Sequence, residues 1–153
     1  MNALHAAAYN GDHEAVLQLL ADHSSVNARD ESGYAPLPWA SFRAAVTDQV
    51  SVAQTLIEAG ADPNAVTEAG DSNCLMLAAQ AGSEPVVTAL VAGGAMVDGA
   101  ADGVTALMVA ARHGETKIVE LLLERGAIAS IRCGSSLLPT ALGMVGTNRW
   151  HLS

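Results

Sequence analysis

The sequence predicts an all-α solenoid, in which short helix–turn–helix units stack on one another along the chain. Four stretches resemble each other, and the spacings between their leading leucines are 33, 38 and 32 residues, at Leu4, Leu37, Leu75 and Leu107. A fifth copy begins at Gly134 and stops after one helix. A sequence that repeats itself roughly every 20–50 residues is typical of a solenoid.

Each stretch is predicted to contain two short helices separated by a turn. In the fourth stretch, apolar residues from Ala106 mark the buried side of a first helix, Gly114 ends it, and a 3.6-residue period resumes at Ile118. Helices this short are unstable alone, because even those of roughly 12–15 residues are marginal in water. Packing between copies must therefore stabilise them. The expected helix-ending glycines are Gly60, Gly94 and Gly126, and the expected caps of the second helices are Asp12, Asp48 and Ser83.

The composition indicates a thin repeat protein rather than a domain with a deep globular core. Half of the 153 residues are apolar, yet five are aromatic and 30 are alanine. Small alanine side chains allow the first helices of neighbouring copies to approach closely. The alanines expected at these contacts are Ala7, Ala8, Ala78, Ala79, Ala110 and Ala111.

The charge and the apolar pattern exclude several classes of protein. Seven basic and sixteen acidic side chains give a formal net charge of −9, whereas a nucleic-acid binder needs clustered Lys and Arg. No apolar run approaches the roughly 18 residues of a membrane span, and the N-terminus lacks the features of a signal peptide. Cys74 and Cys133 have no neighbours at metal-ligand spacing, and we expect buried free thiols. These features predict a cytoplasmic protein that binds neither nucleic acid nor membrane.

Two motifs recur in register along the chain. Thr-Pro-Leu-His-x-Ala occurs in imperfect form at residues 2–7, 35–40, 73–78 and 105–110, and Leu-Leu-x-x-Gly-Ala-x-x-Asn at 56–64 and 122–127. In these positions the chain resembles the ankyrin-repeat family. The resemblance implies a tight β-turn before each copy and one domain over residues 1–153. Its expected repeats are about 1–32, 33–69, 70–102 and 103–133, with a partial C-terminal capping repeat at 134–153.

The second copy departs from the pattern, because four extra residues separate its two helices within residues 41–48. We expect them to lengthen the first helix or its turn and to form a bulge beside the concave face of the stack. Trp39 is expected in the core between repeats, while Phe42 and Arg43 fall at surface positions. In the C-terminal tail, Trp150 is expected to fold back on the last helix, with partner binding as the alternative.

The sequence contains no pattern that predicts catalysis or metal binding. His-Glu-x-x-His, Gly-x-Ser-x-Gly and Gly-x-x-x-x-Gly-Lys are all missing from it. His5 takes the motif position, and the resemblance implies that it makes hydrogen bonds between turns. His113 is expected to be exposed at the groove on the concave face of the stack. We therefore expect no enzyme activity, no catalytic residue, no metal ion and no cofactor.

The resemblance implies a non-catalytic module that binds a partner protein on the concave surface of its turns and first helices. Such a module serves as a scaffold or adaptor; the alternatives are an inhibitor or immunity-type regulator of an enzyme, and a small-ligand binder or enzyme that uses the bulge near Trp39 and Phe42. The family positions that contact a partner correspond here to Tyr9, Asn10, Glu31, Ser32, Tyr34, Phe42, Arg43, Glu68, Asp71, Gln80, Asp102, Val104, Arg112 and His113.

The charge is unevenly distributed along the chain. Residues 1–98 carry two basic and twelve acidic side chains (2 − 12 = −10), and residues 99–153 carry five and four (5 − 4 = +1). We therefore expect a monomer whose partner presents a basic patch to the first three repeats. The alternative is that the acidity only keeps an apolar solenoid soluble.

Overall fold

The computed structural model describes residues 2–45 and 49–128, which form eight α-helices in four consecutive pairs. Apart from two isolated β-bridges in the turns, these residues form no strand. None of the described helices is long and apolar enough to cross a membrane. The pairs are α1 (Ala3–Asn10) with α2 (His13–Ala21), α3 (Pro36–Phe42) with α4 (Gln49–Glu58), α5 (Cys74–Ala81) with α6 (Glu84–Ala92), and α7 (Ala106–Arg112) with α8 (Thr116–Glu124).

The helices stack in two layers. The first helices of the pairs contact one another in the order α1, α3, α5, α7, and the second helices do so in the order α2, α4, α6, α8. We call these the inner and the outer helices. Each inner helix also packs against the outer helix of its own pair. The all-α solenoid that the sequence predicts is confirmed.

Small and branched apolar side chains fill the space between the layers. The leading residues Leu4, Leu37, Leu75 and Leu107 are each at most 2% exposed, and burying such a side chain stabilises the fold by about 1.5–3 kcal/mol. The inner-helix contacts involve the predicted alanine pairs, all of which are buried. A row of alanines therefore allows the inner helices to stack closely.

Side-chain caps stand at the start of the outer helices and glycines follow their ends, as predicted for the described residues. Asp12 accepts a hydrogen bond from the Ala15 N–H, and Ser83 accepts one from the Val86 N–H. The predicted helix-ending glycines have φ angles between +95° and +102°, a conformation in which only glycine avoids a steric penalty. They are Gly60, Gly94 and Gly126. The prediction for Asp48 lies outside the described residues.

The inner helix α3 begins without a side-chain cap, unlike its counterparts. Asn73 and Thr105 each accept a hydrogen bond from the backbone N–H three residues later. Ala35 has no side-chain acceptor, and the residue three positions on is Pro38, which has no N–H to donate. Proline therefore replaces both the cap donor and the motif histidine in this copy.

The four extra residues of the second copy do not lengthen its first helix. α3 has seven residues, the same as α7, and it ends at Phe42, while α4 begins at Gln49. Residues 46–48, together with the predicted capping repeat, Cys133 and Trp150, lie outside the described residues.

Amide side chains connect the loops that follow the outer helices. Asn27 donates to the Gly60 carbonyl and accepts from the Asp62 N–H, at 3.0 and 2.9 Å. Asn64 repeats this pattern with the following loop, with distances of 3.3 and 2.7 Å. At the next position Asp98 accepts from the Ile128 N–H at 2.9 Å, but a carboxylate cannot donate the second bond.

Candidate partner-binding surface

The predicted partner-binding residues lie along the two edges of one face. This inner face consists of the inner helices and the turns that precede them. The inner helices have seven or eight residues, so its two edges are about 11 Å apart at a rise of 1.5 Å per residue. The upper edge, formed by the turns, carries Glu31, Ser32, Tyr34, Glu68, Asp71, Asp102 and Val104. The lower edge, formed by the ends of the inner helices, carries Tyr9, Asn10, Phe42, Arg43, Gln80, Arg112 and His113.

Four aromatic side chains form a column between the two edges, at the junction of the first two helix pairs. The Trp39 ring centroid lies 4.8 Å from that of Tyr34, 5.5 Å from that of Tyr9 and 6.4 Å from that of Phe42. The last two rings meet the indole edge-on, which is a favourable aromatic geometry. We call these four residues the aromatic column. It contains four of the five aromatic residues of the chain, and Phe42 is 52% exposed.

Asp30 fixes the upper half of the aromatic column. The Trp39 Nε1–H donates to Asp30 Oδ2 at 2.8 Å, and Asp30 Oδ1 accepts from the N–H groups of Ser32 and Tyr34 at 2.9 and 3.2 Å. Desolvation raises the pKa of Asp30, but the hydrogen bonds from Trp39, Tyr34 and Ser32 together outweigh it, so the pKa lies below its ordinary value. The ionised carboxylate therefore holds both the turn and the indole.

His5 connects this turn to the first inner helix. Its ring is fully buried, and the Nε2–H is shared between the carbonyl oxygens of Ala28 and Tyr34, each at 2.9 Å. The other ring nitrogen contacts the Asn2 side-chain oxygen. His5 therefore makes the hydrogen bonds to the neighbouring turn that the resemblance implies.

Arg43 and Gln49 hold Tyr9 at the lower edge. The Arg43 guanidinium carbon lies 4.7 Å from the Tyr9 ring centroid, a cation–π contact. Gln49 is fully buried, and its Nε2–H donates to the Tyr9 carbonyl oxygen at 3.1 Å. In the part of the chain that the structure describes, Arg43 Nε and Gln49 Oε1 are buried without a hydrogen-bond partner. Three of the four aromatic residues, Tyr9, Tyr34 and Trp39, are thus each held by a polar or cationic neighbour.

The upper edge continues with acidic side chains. Glu68 packs so closely against Gly33 that a β-carbon at position 33 would clash with the Glu68 side chain, so adjacent turns touch. Asp71 accepts from the Thr67 hydroxyl at 2.6 Å. Asp102 is exposed and has a φ of +51° in the last of these turns. Four acidic residues of this edge are thus exposed to solvent: Glu31, Glu68, Asp71 and Asp102.

The lower edge ends in basic and polar side chains. Gln80, in the last turn of α5, and Arg112, the last residue of α7, take the position that Phe42 has in the second copy, and both are exposed. His113 is exposed as predicted, and its Nδ1–H donates to the Val109 carbonyl at 2.9 Å. The character of the lower edge thus changes along the stack from aromatic to basic.

The structure corrects the expectation for Trp39. Trp39 is half-buried, whereas Leu77 and Val109, at the same position in later copies, are 7% and 8% exposed. The indole N–H needs an acceptor, and it reaches one at Asp30 by lying on the inner face rather than beneath it. Asp30 was not among the residues predicted from the sequence, although an Asp that precedes a Ser by two residues is a signal for an Asx turn.

Cys74 does not provide a reactive group. Its side chain is fully buried, and desolvation raises the pKa of the thiol to about 12. Among the described residues, no group of three His, Cys, Asp or Glu side chains is arranged to hold a metal ion. Cys74 is thus the buried free thiol that the sequence predicts.

Comparison with known proteins identifies a family and a relative. A family model described as ankyrin repeats, in three copies, matches residues 1–67 and 42–133. Inversin of Gallus gallus is 34% identical over 126 residues, which is 81% of this chain and 11% of inversin. The chain therefore spans about a tenth of the length of this relative. The family match covers most of the chain and coincides with the stacked helix pairs, and the chain belongs to the ankyrin-repeat family.

Proposed function

We propose that this chain is a non-catalytic recognition module that binds a partner protein on its inner face and serves as a scaffold or adaptor. Ankyrin repeats are generally protein–protein interaction modules, and solenoids of this kind bind along an extended concave surface. The observation that carries the proposal is the aromatic column, with Phe42 52% exposed at its lower end. In this proposal residues 1–153 act as one domain, as a monomer in the cytoplasm.

The aromatic column has the properties of an interface anchor. Tryptophan, tyrosine and arginine are the residues most enriched among those that dominate binding energy, and the column with Arg43 contains all three types. Asp30 holds the Trp39 ring and Arg43 the Tyr9 ring, and Gln49 holds the Tyr9 backbone carbonyl. Because little side-chain entropy is lost when a partner covers a preorganised surface, more of the contact energy contributes to affinity.

The charge of the upper edge supports a partner with a basic patch. The turns carry five acidic residues and one basic residue, which gives a local charge of 1 − 5 = −4. The basic residue, Arg29, donates to the Gly33 carbonyl at 2.7 Å. A complementary charge on the partner speeds association, and salt slows it. The acidic residues are Asp30, Glu31, Glu68, Asp71 and Asp102.

The structure provides a matched pair of variants that tests this proposal. Phe42 on the inner face and Leu17 on the outer helix α2 are 52% and 49% exposed. A partner is isolated with the full chain as bait, and its affinity is then measured by calorimetry for the wild type, Phe42→Ala and Leu17→Ala. We expect Phe42→Ala to weaken binding by about tenfold or more, as for a residue at an interface centre, and Leu17→Ala to leave it within twofold, roughly, of the wild type.

The same complex tests the charge assignment. The association rate constant is expected to fall as the NaCl concentration rises, because the acidic upper edge attracts the partner. An unchanged affinity for Phe42→Ala together with a loss for Leu17→Ala would place binding on the outer face and refute the proposal. An association rate that does not depend on salt would remove the basic patch from it.

A further inference from the structure

The two edges of the inner face differ in charge. The upper edge has a charge of −4. At the lower edge Arg112 ends α7, and Arg43 directly follows Phe42, the last residue of α3. Tyr9, Phe42 and Gln80, which take the position of Arg112 in the other copies, are neutral. The carboxylates of the upper edge therefore lie about one inner-helix length from the two arginines of the lower edge.

Carboxylates also follow the lower edge: Asp12 and Glu115 lie in the turns that lead into α2 and α8, and Glu14 and Glu84 lie in the first turns of α2 and α6. Asp12 accepts from the Ala15 N–H and caps α2. The Glu115 carboxylate lies beside Gly82, with an oxygen 2.7 Å from the point that a β-carbon would occupy there. Asp12 and Glu115 belong to the turns between inner and outer helices. Counted with Arg43 and Arg112, they bring the described lower edge to a charge of 2 − 2 = 0, against −4 at the upper edge, and the two arginines are the positive groups of the lower edge.

The dimensions of the inner face fit one α-helix. The edges are about 11 Å apart, and an α-helix with its side chains is about 10–12 Å in diameter. The aromatic column lies between the edges and offers apolar surface to the side of such a helix that faces the protein. From α1 to α7 there are three helix-to-helix steps of about 8–10 Å, which is a length of about 16–20 helical residues at 1.5 Å each.

We propose that the inner face binds an amphipathic α-helix of the partner, laid across the inner helices, with basic side chains on the flank toward the turns and acidic side chains on the flank toward Arg43 and Arg112. This inference rests on the proposed function and specifies the partner for it. Where the helix crosses α1 and α3, its apolar stripe lies on the aromatic column, as in other helix-in-groove complexes. Segregation of charge between the two flanks, rather than net charge, determines recognition.

The lower-edge arginines also have a purely structural explanation. Cations at the C-terminal end of a helix interact favourably with its dipole, and Arg43 and Arg112 stand at such ends. That role affects the stability of the protein, whereas the proposal requires an effect on binding that depends on the arrangement of charges in the ligand. A test must therefore vary the ligand at constant composition.

Two synthetic peptides of about 20 residues provide this test, with the length set by the helical rise. Both share one apolar stripe and the same numbers of Lys and Glu. In the segregated peptide all Lys lie on one flank and all Glu on the other, and in the mixed peptide the two types alternate on both flanks. Binding of fluorescein-labelled peptides to the full chain is measured by anisotropy at 150 mM NaCl, roughly physiological ionic strength, where the Debye length is about 8 Å.

We expect the segregated peptide to bind about 2- to 30-fold more tightly than the mixed one, the range for two exposed ion pairs. In Arg43→Glu/Arg112→Glu the preference should disappear, while circular dichroism shows the helix content unchanged. Equal binding of both peptides by the wild type, with both weakened by Phe42→Ala, would overturn the charge arrangement and leave the proposed function standing. No binding of either peptide at protein concentrations up to about 100 μM, roughly a hundred times a micromolar dissociation constant, would overturn the helical ligand itself.

Discussion

The hydrogen bond between Trp39 and Asp30 makes a specific prediction about stability and its pH dependence. Trp39→Phe keeps an aromatic ring in the column but removes the N–H that donates to Asp30 Oδ2 at 2.8 Å. The Asp30 carboxylate retains its bonds from the Ser32 and Tyr34 N–H groups. The substitution therefore isolates the contact that orients the indole against the turn.

The size of the effect follows from the surroundings of the carboxylate. A hydrogen bond to a charged acceptor contributes about 1.5–3 kcal/mol, and solvent screening at this accessible site reduces it to about 1 kcal/mol. Loss of part of the indole surface adds to the total cost of Trp39→Phe. The coupling energy in a double-mutant cycle with Asp30→Ala removes that contribution, and we expect it to be about 1 kcal/mol.

The pH dependence gives a second measurement of the same contact. The folded-state pKa of Asp30 is depressed below its ordinary value of 3.8, so its ionisation stabilises the protein above that pH, and this stabilisation is lost as the pH falls through the folded-state pKa. Urea unfolding, followed by circular dichroism, should show a coupling energy that is present at pH 7 and declines in acid. A coupling energy near zero at pH 7, or one that does not decline at any acidic pH at which the protein still unfolds cooperatively, would refute the reasoning.

Three further predictions concern the stability of the stack. Asp98→Asn should raise the free energy of unfolding by about 1 kcal/mol, because the amide can donate to the next loop as the asparagines of the two preceding copies do; a decrease in urea unfolding would contradict it. Thr105→Ala should cost about 1 kcal/mol through the lost cap, whereas Ala35→Thr should gain almost nothing, because Pro38 has no N–H. The thiol pKa of Cys74 is raised to about 12, so Cys74 should react with iodoacetamide at neutral pH only on unfolding. Peptide mapping identifies the labelled cysteine, and rapid labelling of Cys74 in the native chain would contradict its burial.

The fold was predictable because it depends on local signals that repeat. The leucines, the alanine pairs and the glycines that adopt positive φ recur at the same place in each copy. Each prediction therefore had several independent observations behind it. The asparagine and aspartate bonds between loops follow the same period, since Asn27, Asn64 and Asp98 stand at equivalent positions.

The candidate site was predictable in part, because its positions repeat but its contacts do not. Tyr9, Tyr34 and Phe42 lie at family positions, yet the distances among their rings depend on how the first two pairs stack. The contact from Trp39 to Asp30 involves side chains nine residues apart in a turn and a helix, and no periodicity encodes it. For the same reason the sequence could not decide whether the extra residues lengthen the helix or the turn.

Photo-crosslinking in the source cell tests the central claim, that a partner binds the inner face through the aromatic column, most directly. A benzophenone amino acid replaces either Phe42 on the inner face or Leu17 on the outer helix α2, two residues of nearly equal exposure. We predict a discrete crosslinked adduct from position 42 and little from position 17. Equal or stronger crosslinking from position 17 would contradict the claim.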